Sequence, residues 1–169
     1  MFTRYKAVPS AEPDSADALV PEDVRQHMTQ MTVEQTNKEL FLKLIEEGFN
    51  KGNLAVVDEL VSPSSKEHQR GNHDGIEGVK EVITTLRRWF PDFEMHAEDV
   101  VVTGNEVWAR FRATGTNLGS VMGNPPTGKK ITVDVIDIAR IEGGKIVEHW
   151  GVPDQLGMML QIGVFGQRK

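Results

Sequence analysis

Two aspartates that stand among apolar residues are the first candidates for catalytic chemistry. In the segment 131–141 alternate residues share a face, and this places Asp137 with valine, alanine and isoleucine side chains. Burial among apolar groups raises the pKa of a carboxyl group, which gives a protein a general acid or base that works near neutral pH. Asp137 is therefore a candidate catalytic residue. The alternative is a structural aspartate that pairs with Arg110 or Arg112 of a neighbouring strand.

The second aspartate, Asp154, follows the last predicted strand. Alternation along that strand puts Ile146, Glu148 and Trp150 on one face. The same face extends to Asp154 unless Pro153 rotates the backbone. A tryptophan beside a carboxylate gives a pocket an apolar wall and favours acid/base chemistry, so Asp154 is a second candidate. The alternative is an N-cap or turn residue. Glu148 is predicted to be a structural ion-pair partner.

Histidine can also exchange protons near neutral pH. We expect His68 to face the pocket as a hydrogen-bonding or acid/base residue. His68, His73 and Asp74 lack the spacing that places two imidazoles on one helical face, so we predict no metal site. The other histidines are predicted to be surface or structural residues: His27, His96 and His149.

Composition excludes several other kinds of protein. The chain has 169 residues, a formal net charge of −6 and no cysteine. The acidic balance argues against a nucleic-acid partner, and the lack of cysteine excludes disulfides, thiolate nucleophiles and cysteine-ligated metals. Neither a Walker A sequence nor a G-x-G-x-x-G or G-x-S-x-G motif occurs. No apolar run approaches the ~20 residues of a membrane span and no signal-peptide pattern opens the chain, so we expect a cytoplasmic protein without a membrane partner.

Helical patterns precede strand patterns along the chain. The predicted helices are one over 32–52 that starts at a Thr32–Gln35 capping box, a short one after Asn53, and one over 74–90 that starts at an Asp74–Glu77 capping box and ends at Pro91. A polar, extended stretch reaches His68. The predicted strands are a hairpin over 93–113, a long strand over 131–141 and a last strand over 145–150, followed by a Met/Leu-rich segment at 153–163.

This order, without βαβ alternation, predicts an α+β fold. Helices then cover one face of a curved antiparallel sheet and leave a concave pocket. Residues 30–165 form the predicted domain, residues 1–29 an N-terminal arm that is flexible or packed on a partner, and residues 166–169 a tail. Because the outer face of such a sheet needs covering, we expect a homodimer or higher homo-oligomer.

Aromatic residues near the predicted strands are candidate walls of the pocket. Trp108 and Trp150 lie within strand patterns, and Trp89 and Phe90 end the third helix. For Trp89 and Phe90 the alternative is plain core packing. Arg110 is a candidate substrate-binding residue because an arginine beside paired carboxylates can orient water or an oxyanion.

A series of short motifs resembles, in order, the SnoaL-like polyketide cyclase (ester cyclase) family. The motifs lie within residues 32–163: Gly75–Lys80, Phe90–Asp92, Gly115-Thr116, Pro125–Lys129, Ile136–Arg140, Gly144–Trp150, Asp154 and Leu160–Gly163. The resemblance implies the cone-shaped α+β fold of the nuclear transport factor 2 superfamily and an intramolecular aldol ring closure without metal or cofactor.

The resemblance also implies roles for single residues. The family's acid/base aspartate falls on Asp154, its polar position in the long strand on Asp137, and its pocket histidine on His68. The position that the family often fills with histidine in a G-T-H motif is Asn117, and Asp137 likewise stands where histidine is frequent. A pair of carboxylates thus replaces a histidine and an aspartate.

These observations lead to one functional hypothesis and two alternatives. We expect a hydrophobic small-molecule substrate with an acidic C–H between carbonyls, Asp154 as general base, and His68 or Asp137 as the partner of the enolate. One alternative is water addition to an epoxide by Asp137, Asp154 and Arg110 or Arg112. The other is a small-molecule-binding module without catalysis.

Overall fold

The computed structural model describes residues 20–164, which fold into helices packed on a five-stranded sheet. The helices are α1 (Glu22–Lys43), continued by a π-helical segment (Leu44–Asn50), then α2 (Ala55–Leu60), α3 (Gly75–Trp89) and α4 (Gln155–Ile162). The strands are β1 (Val61–Glu67), β2 (Glu94–Thr103), β3 (Glu106–Thr116), β4 (Lys130–Glu142) and β5 (Lys145–Pro153). No helix within residues 20–164 is long and apolar enough to cross a membrane.

The sheet has the order β1-β5-β4-β3-β2. Strands β2 to β5 pair antiparallel as predicted, whereas β1 pairs parallel with β5 at the edge, so the sheet is mixed. Nothing in the local pattern of β1 indicates that pairing, because its three serines and Pro63 alternate weakly. Pro63 cannot donate to a ladder and fits only at an edge or an irregularity, and the β1–β5 register shifts between Val61 and Lys66.

Helix α1 begins at Glu22, ten residues before the predicted start, and crosses the boundary between predicted arm and domain. The hydroxyl of Thr32 donates to Met28 O within the helix and is not an N-cap. Residues 21–36 lie almost entirely in solvent, and burial starts at Asn37. The apolar pattern therefore marked only the part of the helix that packs. Residues 1–19 and the predicted tail lie outside the described residues.

The second predicted capping box is also wrong, because Asp74 makes no side-chain bond to the start of α3. Its carboxylate accepts hydrogen bonds from Lys66 Nζ at 2.8 Å and from Glu67 N at 2.9 Å. The contacts with Lys66 and then with this amide lower the pKa of Asp74 below its usual value. The aspartate thus ties the end of β1 to the start of α3, beside the cavity described below.

The core lies between the helices and the concave face of the sheet. Phe41 of α1 packs edge-on against Phe111 of β3, with ring centroids 6.0 Å apart and planes at 63°. Phe90, which follows α3, is fully buried, and Gly115 allows its ring to approach the backbone of β3. The prediction of Phe90 as a pocket wall is therefore wrong, and its alternative as core residue is confirmed.

An irregularity in β5 reverses the expected alternation of its side chains. Ile141 pairs with Ile146, yet Arg140 pairs with Glu148, so Val147 is an extra residue in the ladder. Ile146 and His149 consequently face the helices, whereas Glu148 and Trp150 face the opposite, convex side of the sheet. The single face predicted for Ile146, Glu148 and Trp150 is wrong for this reason.

Candidate active site

A cavity of about 370 Å³ opens between the concave sheet and helices α1, α3 and α4. Its walls are mainly apolar, with Phe41 and Phe49 from α1 and its continuation, Leu86 and Trp89 from α3, and Met158 from α4 among them. Trp89 thus lies where the sequence predicted a wall residue. A cavity of this size and lining suits an apolar small molecule.

The polar floor of this cavity centres on His149, flanked by two carboxylates. His149 Nδ1 lies 2.9 Å from Glu67 Oε2, and His149 Nε2 lies 3.5 Å from Asp137 Oδ1. The side chains of Glu67 and Asp137 are 9% and 10% exposed, and that of His149 is 24% exposed. Both carboxylates are therefore nearly removed from water, whereas the imidazole is open to the cavity.

Strand register brings these three side chains together. His149 pairs with Glu67 of β1 on one side and with Ala139 of β4 on the other. Asp137, two residues before Ala139, shares its inward face and lies diagonally across from His149. Glu67 is fixed further, because its Oε1 accepts a 2.6 Å hydrogen bond from Gln69 N.

The two carboxylates keep the imidazole of His149 positively charged. Burial opposes that charge, but the contacts with Asp137 and Glu67 outweigh burial and raise the pKa of His149 to about 10. His149 is therefore an imidazolium at neutral pH. The floor thus places one cation between two carboxylates.

Gly151, which pairs with Asp137, leaves room for the Gln69 side chain beside the floor. A Cβ at position 151 would overlap Gln69 Oε1 and would stand 3.1 Å from Asp137 Oδ1. The glycine thus lets the Gln69 side chain lie over β5 beside the floor. Any larger residue would displace Gln69.

Asp154 also lines the cavity, but its carboxylate caps a helix. Asp154 Oδ1 accepts a 2.7 Å hydrogen bond from Gly157 N, and the residue is exposed. The N-cap alternative is thus confirmed. The structure places Asp137 in the floor and Asp154 at the start of α4.

His68 lies outside the cavity, on the convex face of the sheet. Its ring stacks on Trp150, with centroids 4.7 Å apart and planes at 6°, and its Nε2 lies 2.7 Å from Glu148 Oε1. Glu148 also pairs with Arg140, which confirms its predicted structural role. The prediction that His68 and Trp150 border the pocket is wrong, because the extra residue in β5 turns Trp150 outward and His68 directly follows Glu67, which faces inward.

Other predicted site residues also lie away from the cavity. Arg110 pairs with Asp99 at 2.6 Å, Arg112 pairs with Asp134 at 3.5 Å, and Trp108 is exposed on the same convex face. Neither arginine reaches Asp137, so their predicted pairing with it is wrong. Asn117 is buried in the loop after β3, where its side chain bonds Gly119 O and Thr127.

Sequence reasoning missed two residues of the floor, His149 and Glu67. The sequence predicts a surface or structural residue at His149, and strict alternation through β5 hides its inward position. The β4–β5 pairing identifies His149. Asp137 faces inward and pairs with Gly151, so Gly151 also faces inward, and His149, two residues earlier in β5, shares that face. Glu67 is found only once the parallel β1–β5 register is known. Within residues 20–164, no group of three His, Asp or Glu side chains has the geometry to hold a metal ion.

Sequence comparison agrees with this architecture. The profile of the SnoaL-like polyketide cyclase family matches residues 39–162, most of the chain. The chain belongs to the SnoaL-like polyketide cyclase family. Similar proteins include aklanonic acid methyl ester cyclase DnrD of Streptomyces peucetius, 31% identical over 124 residues that cover 69% of this chain and 84% of DnrD. Nogalonic acid methyl ester cyclase of Streptomyces nogalater is 29% identical over 122 residues, covering 68% of this chain and 89% of that protein.

Solved structures of SnoaL-like proteins support the same fold. The structure of wild-type IdmH from Streptomyces antibioticus superposes with a TM-score of 0.68 at 31% identity, covering 75% of this chain and 98% of IdmH. The α+β fold with N-terminal helices on a curved sheet, which the SnoaL-like resemblance predicted, is confirmed, and the sheet has five strands and is mixed.

Proposed function

We propose that this SnoaL-like chain is a cofactor-independent cyclase or isomerase of hydrophobic polyketide-type molecules. Asp137 is the general base and His149 the cationic hydrogen-bond donor. One observation carries the proposal: a buried carboxylate and an imidazolium lie 3.5 Å apart at the floor of an apolar cavity. That pair supplies both halves of proton transfer at a carbon acid.

The reaction begins at a C–H group that lies between carbonyls. Asp137 takes the proton, and the electron pair of the C–H bond becomes an enolate whose oxygen carries the charge. Protonation of Asp137 ends its attraction for His149 Nε2–H, which then donates to the enolate oxygen. The charge of the site is unchanged, because the negative charge has only moved from the carboxylate to the enolate.

Ring closure completes the cycle without a co-reactant. The enolate carbon attacks a carbonyl carbon of the same molecule, a C–C bond forms, and the new alkoxide takes a proton from the Asp137 carboxylic acid. Isomerisation instead returns that proton to another carbon of the enolate. Such positioned proton transfer typically contributes about 10²- to 10⁴-fold, and the cavity adds orientation and exclusion of water.

Glu67 holds the donor in place. Its contact with Nδ1 fixes the ring plane of His149 and favours the cation, so that Nε2–H points toward Asp137 and the cavity. The hydrogen bond from Gln69 N to Glu67 Oε1 keeps the Glu67 side chain from rotating away from His149. Glu67 therefore acts through His149 as a positioning residue.

Two methyl esters test the proposal directly. Aklanonic acid methyl ester and nogalonic acid methyl ester, for which the relatives are named, are incubated in D₂O with the wild-type chain and with Asp137→Asn. We expect ring closure, or deuterium uptake at the carbon between the carbonyls faster than in buffer alone, with the wild type and not with Asp137→Asn. Neither ring closure nor exchange above the buffer rate with either ester would overturn the proposal and favour a binding module.

A second candidate function is water addition to an epoxide. It is favoured by the order carboxylate, cation, carboxylate across Glu67, His149 and Asp137, in which Asp137 deprotonates water and His149 protonates the epoxide oxygen. This set differs from the predicted one, since Arg110 and Arg112 face the other side. Incorporation of ¹⁸O from labelled water into a diol would favour hydration over cyclisation, which incorporates none.

We also propose that a second copy of the chain covers the convex face of the sheet. Val101 of β2 and Trp108 of β3 form a cross-strand pair there and are 63% and 46% exposed. Ile136 of β4 and Val152 of β5 form a second cross-strand pair and are 40% and 68% exposed. Arginines and carboxylates lie beside this patch, so charges of both signs are present. A two-fold contact pairs the same surface with itself, and such a mixed surface is complementary to itself. Light scattering should show a wild-type dimer and a monomer for Trp108→Glu, and a monomeric wild type at micromolar concentration would contradict this.

A further inference from the structure

Where the cavity meets the turn of residues 69–72, here called the mouth, an exposed arginine has no partner among residues 20–164. Arg70 lies in the turn between β1 and α3, which is closed by a 3.2 Å hydrogen bond from Asn72 N to Gln69 O, and it lines the cavity. Among the arginines of residues 20–164, Arg70 alone makes no hydrogen bond or ion pair. Arg87, for comparison, donates to backbone carbonyls at Phe49 and Asn50.

The acidic groups around the mouth are engaged elsewhere. Glu81 lies 2.8 Å from His73 Nδ1, and Asp154 accepts from Gly157 N. The guanidinium of Arg70 is therefore a cation that the protein itself does not neutralise, at the edge of an apolar chamber. An arginine in this setting presents a planar fork that matches a carboxylate.

The charges of the floor and the mouth would orient an anionic ligand. The floor holds the two buried carboxylates beside a single histidine, so a further carboxylate placed beside Asp137 would be repelled. At the mouth the same carboxylate would meet Arg70. A molecule with a carboxylate at one end and an apolar body thus enters with the body inside and the carboxylate outside.

We propose that Arg70 binds the free carboxylate of the substrate, a mostly apolar polycyclic acid whose reacting carbons lie at the floor. This rests on the function proposed above, and it adds the substrate class. DnrD and the nogalonic acid methyl ester cyclase are named for methyl esters, in which that carboxylate is masked. Arg70 makes the unmasked acid the preferred ligand of this chain.

A pair of probes that differ in one methyl group tests the inference. Anthraquinone-2-carboxylate and its methyl ester are titrated by calorimetry into the wild-type chain, into Arg70→Gln and into Arg88→Gln. Arg88 is exposed on α3 and does not itself line the cavity, and its only side-chain hydrogen bond within residues 20–164, to Thr85 Oγ1, is long at 3.4 Å, so its variant removes the same charge from outside the lining. Titrations at low and high salt separate a charge effect from an effect of shape.

The wild type and Arg88→Gln should bind the acid about tenfold or more tightly than the ester at low salt, as for a charge-assisted hydrogen bond. The preference should shrink at high salt and vanish in Arg70→Gln, with ester affinity unchanged. Equal binding of acid and ester, or a preference that survives in Arg70→Gln, would overturn the inference and leave the acid/base proposal standing. Binding of neither probe would overturn the apolar chamber on which both rest.

Discussion

The charge of His149 predicts an unusual dependence of stability on pH. The pKa of the imidazole is raised from 6.5 to about 10 in the folded protein, because Asp137 and Glu67 outweigh burial. A raised folded-state pKa means that the folded protein binds the proton more tightly than the unfolded chain. The resulting stabilisation is fully present below pH 6.5 and is lost as the pH rises to about 10.

The size of this stabilisation follows from the pKa shift of His149. Each pKa unit is worth about 1.4 kcal/mol, so the shift corresponds to at most about 5 kcal/mol of unfolding free energy. Between pH 7 and 10 the slope approaches about 1.4 kcal/mol per pH unit. Such a loss exceeds what an exposed ion pair contributes, about 1 kcal/mol or less, so it can be separated from the surface pairs of this chain.

Urea unfolding at a series of pH values measures this effect. The free energy of unfolding of the wild type should fall relative to His149→Gln from pH 7 to 10, since glutamine does not titrate. Glu67→Gln should lower the pKa of His149 and move the loss to lower pH. Long-range ¹H–¹⁵N spectra of the ring give the titration itself. Parallel stability curves, or a ring that titrates near 6.5, would refute the reasoning.

Two further predictions concern the framework that holds the site. Phe111→Ala should lower the unfolding free energy by about 3 to 5 kcal/mol, because this fully buried ring packs on Phe41. Calorimetry measures the change, and a loss below about 1 kcal/mol would contradict the prediction. Gly78→Ala should destabilise by about 1 to 3 kcal/mol, although alanine usually favours helices, because a Cβ there would overlap His73 O. If Gly78→Ala is more stable than the wild type in chemical denaturation, the turn before α3 has moved to make room for the Cβ, and the prediction is wrong.

The order of elements could be predicted from the sequence because its signals are local. The apolar face of α3, the β2–β3 hairpin around Gly104 and the inward position of Asp137 all follow from periodicity and turn residues, and the structure contains them. The exposed half of α1 could not be predicted, since a helix that buries no face leaves no apolar period.

The other two residues of the floor, His149 and Glu67, could not be predicted because their positions depend on pairing across the chain. One extra residue, Val147, changes the face of every later side chain in β5, and no local pattern marks it. Glu67 reaches His149 only through the parallel edge strand, 82 residues away along the chain. The motif Glu148-His149-Trp150 was recognised in the sequence, but its inward member was not.

The central claim, that Asp137 is the base, is tested most directly by a matched pair of variants. Asp137→Asn and Asp154→Asn are compared in the exchange and ring-closure assay with the two methyl esters. Asparagine caps a helix about as well as aspartate, so Asp154→Asn keeps α4 in place and should retain activity within a few-fold. Asp137→Asn should lose about 10²- to 10⁴-fold. Full activity in Asp137→Asn, with the loss in Asp154→Asn, would contradict the claim.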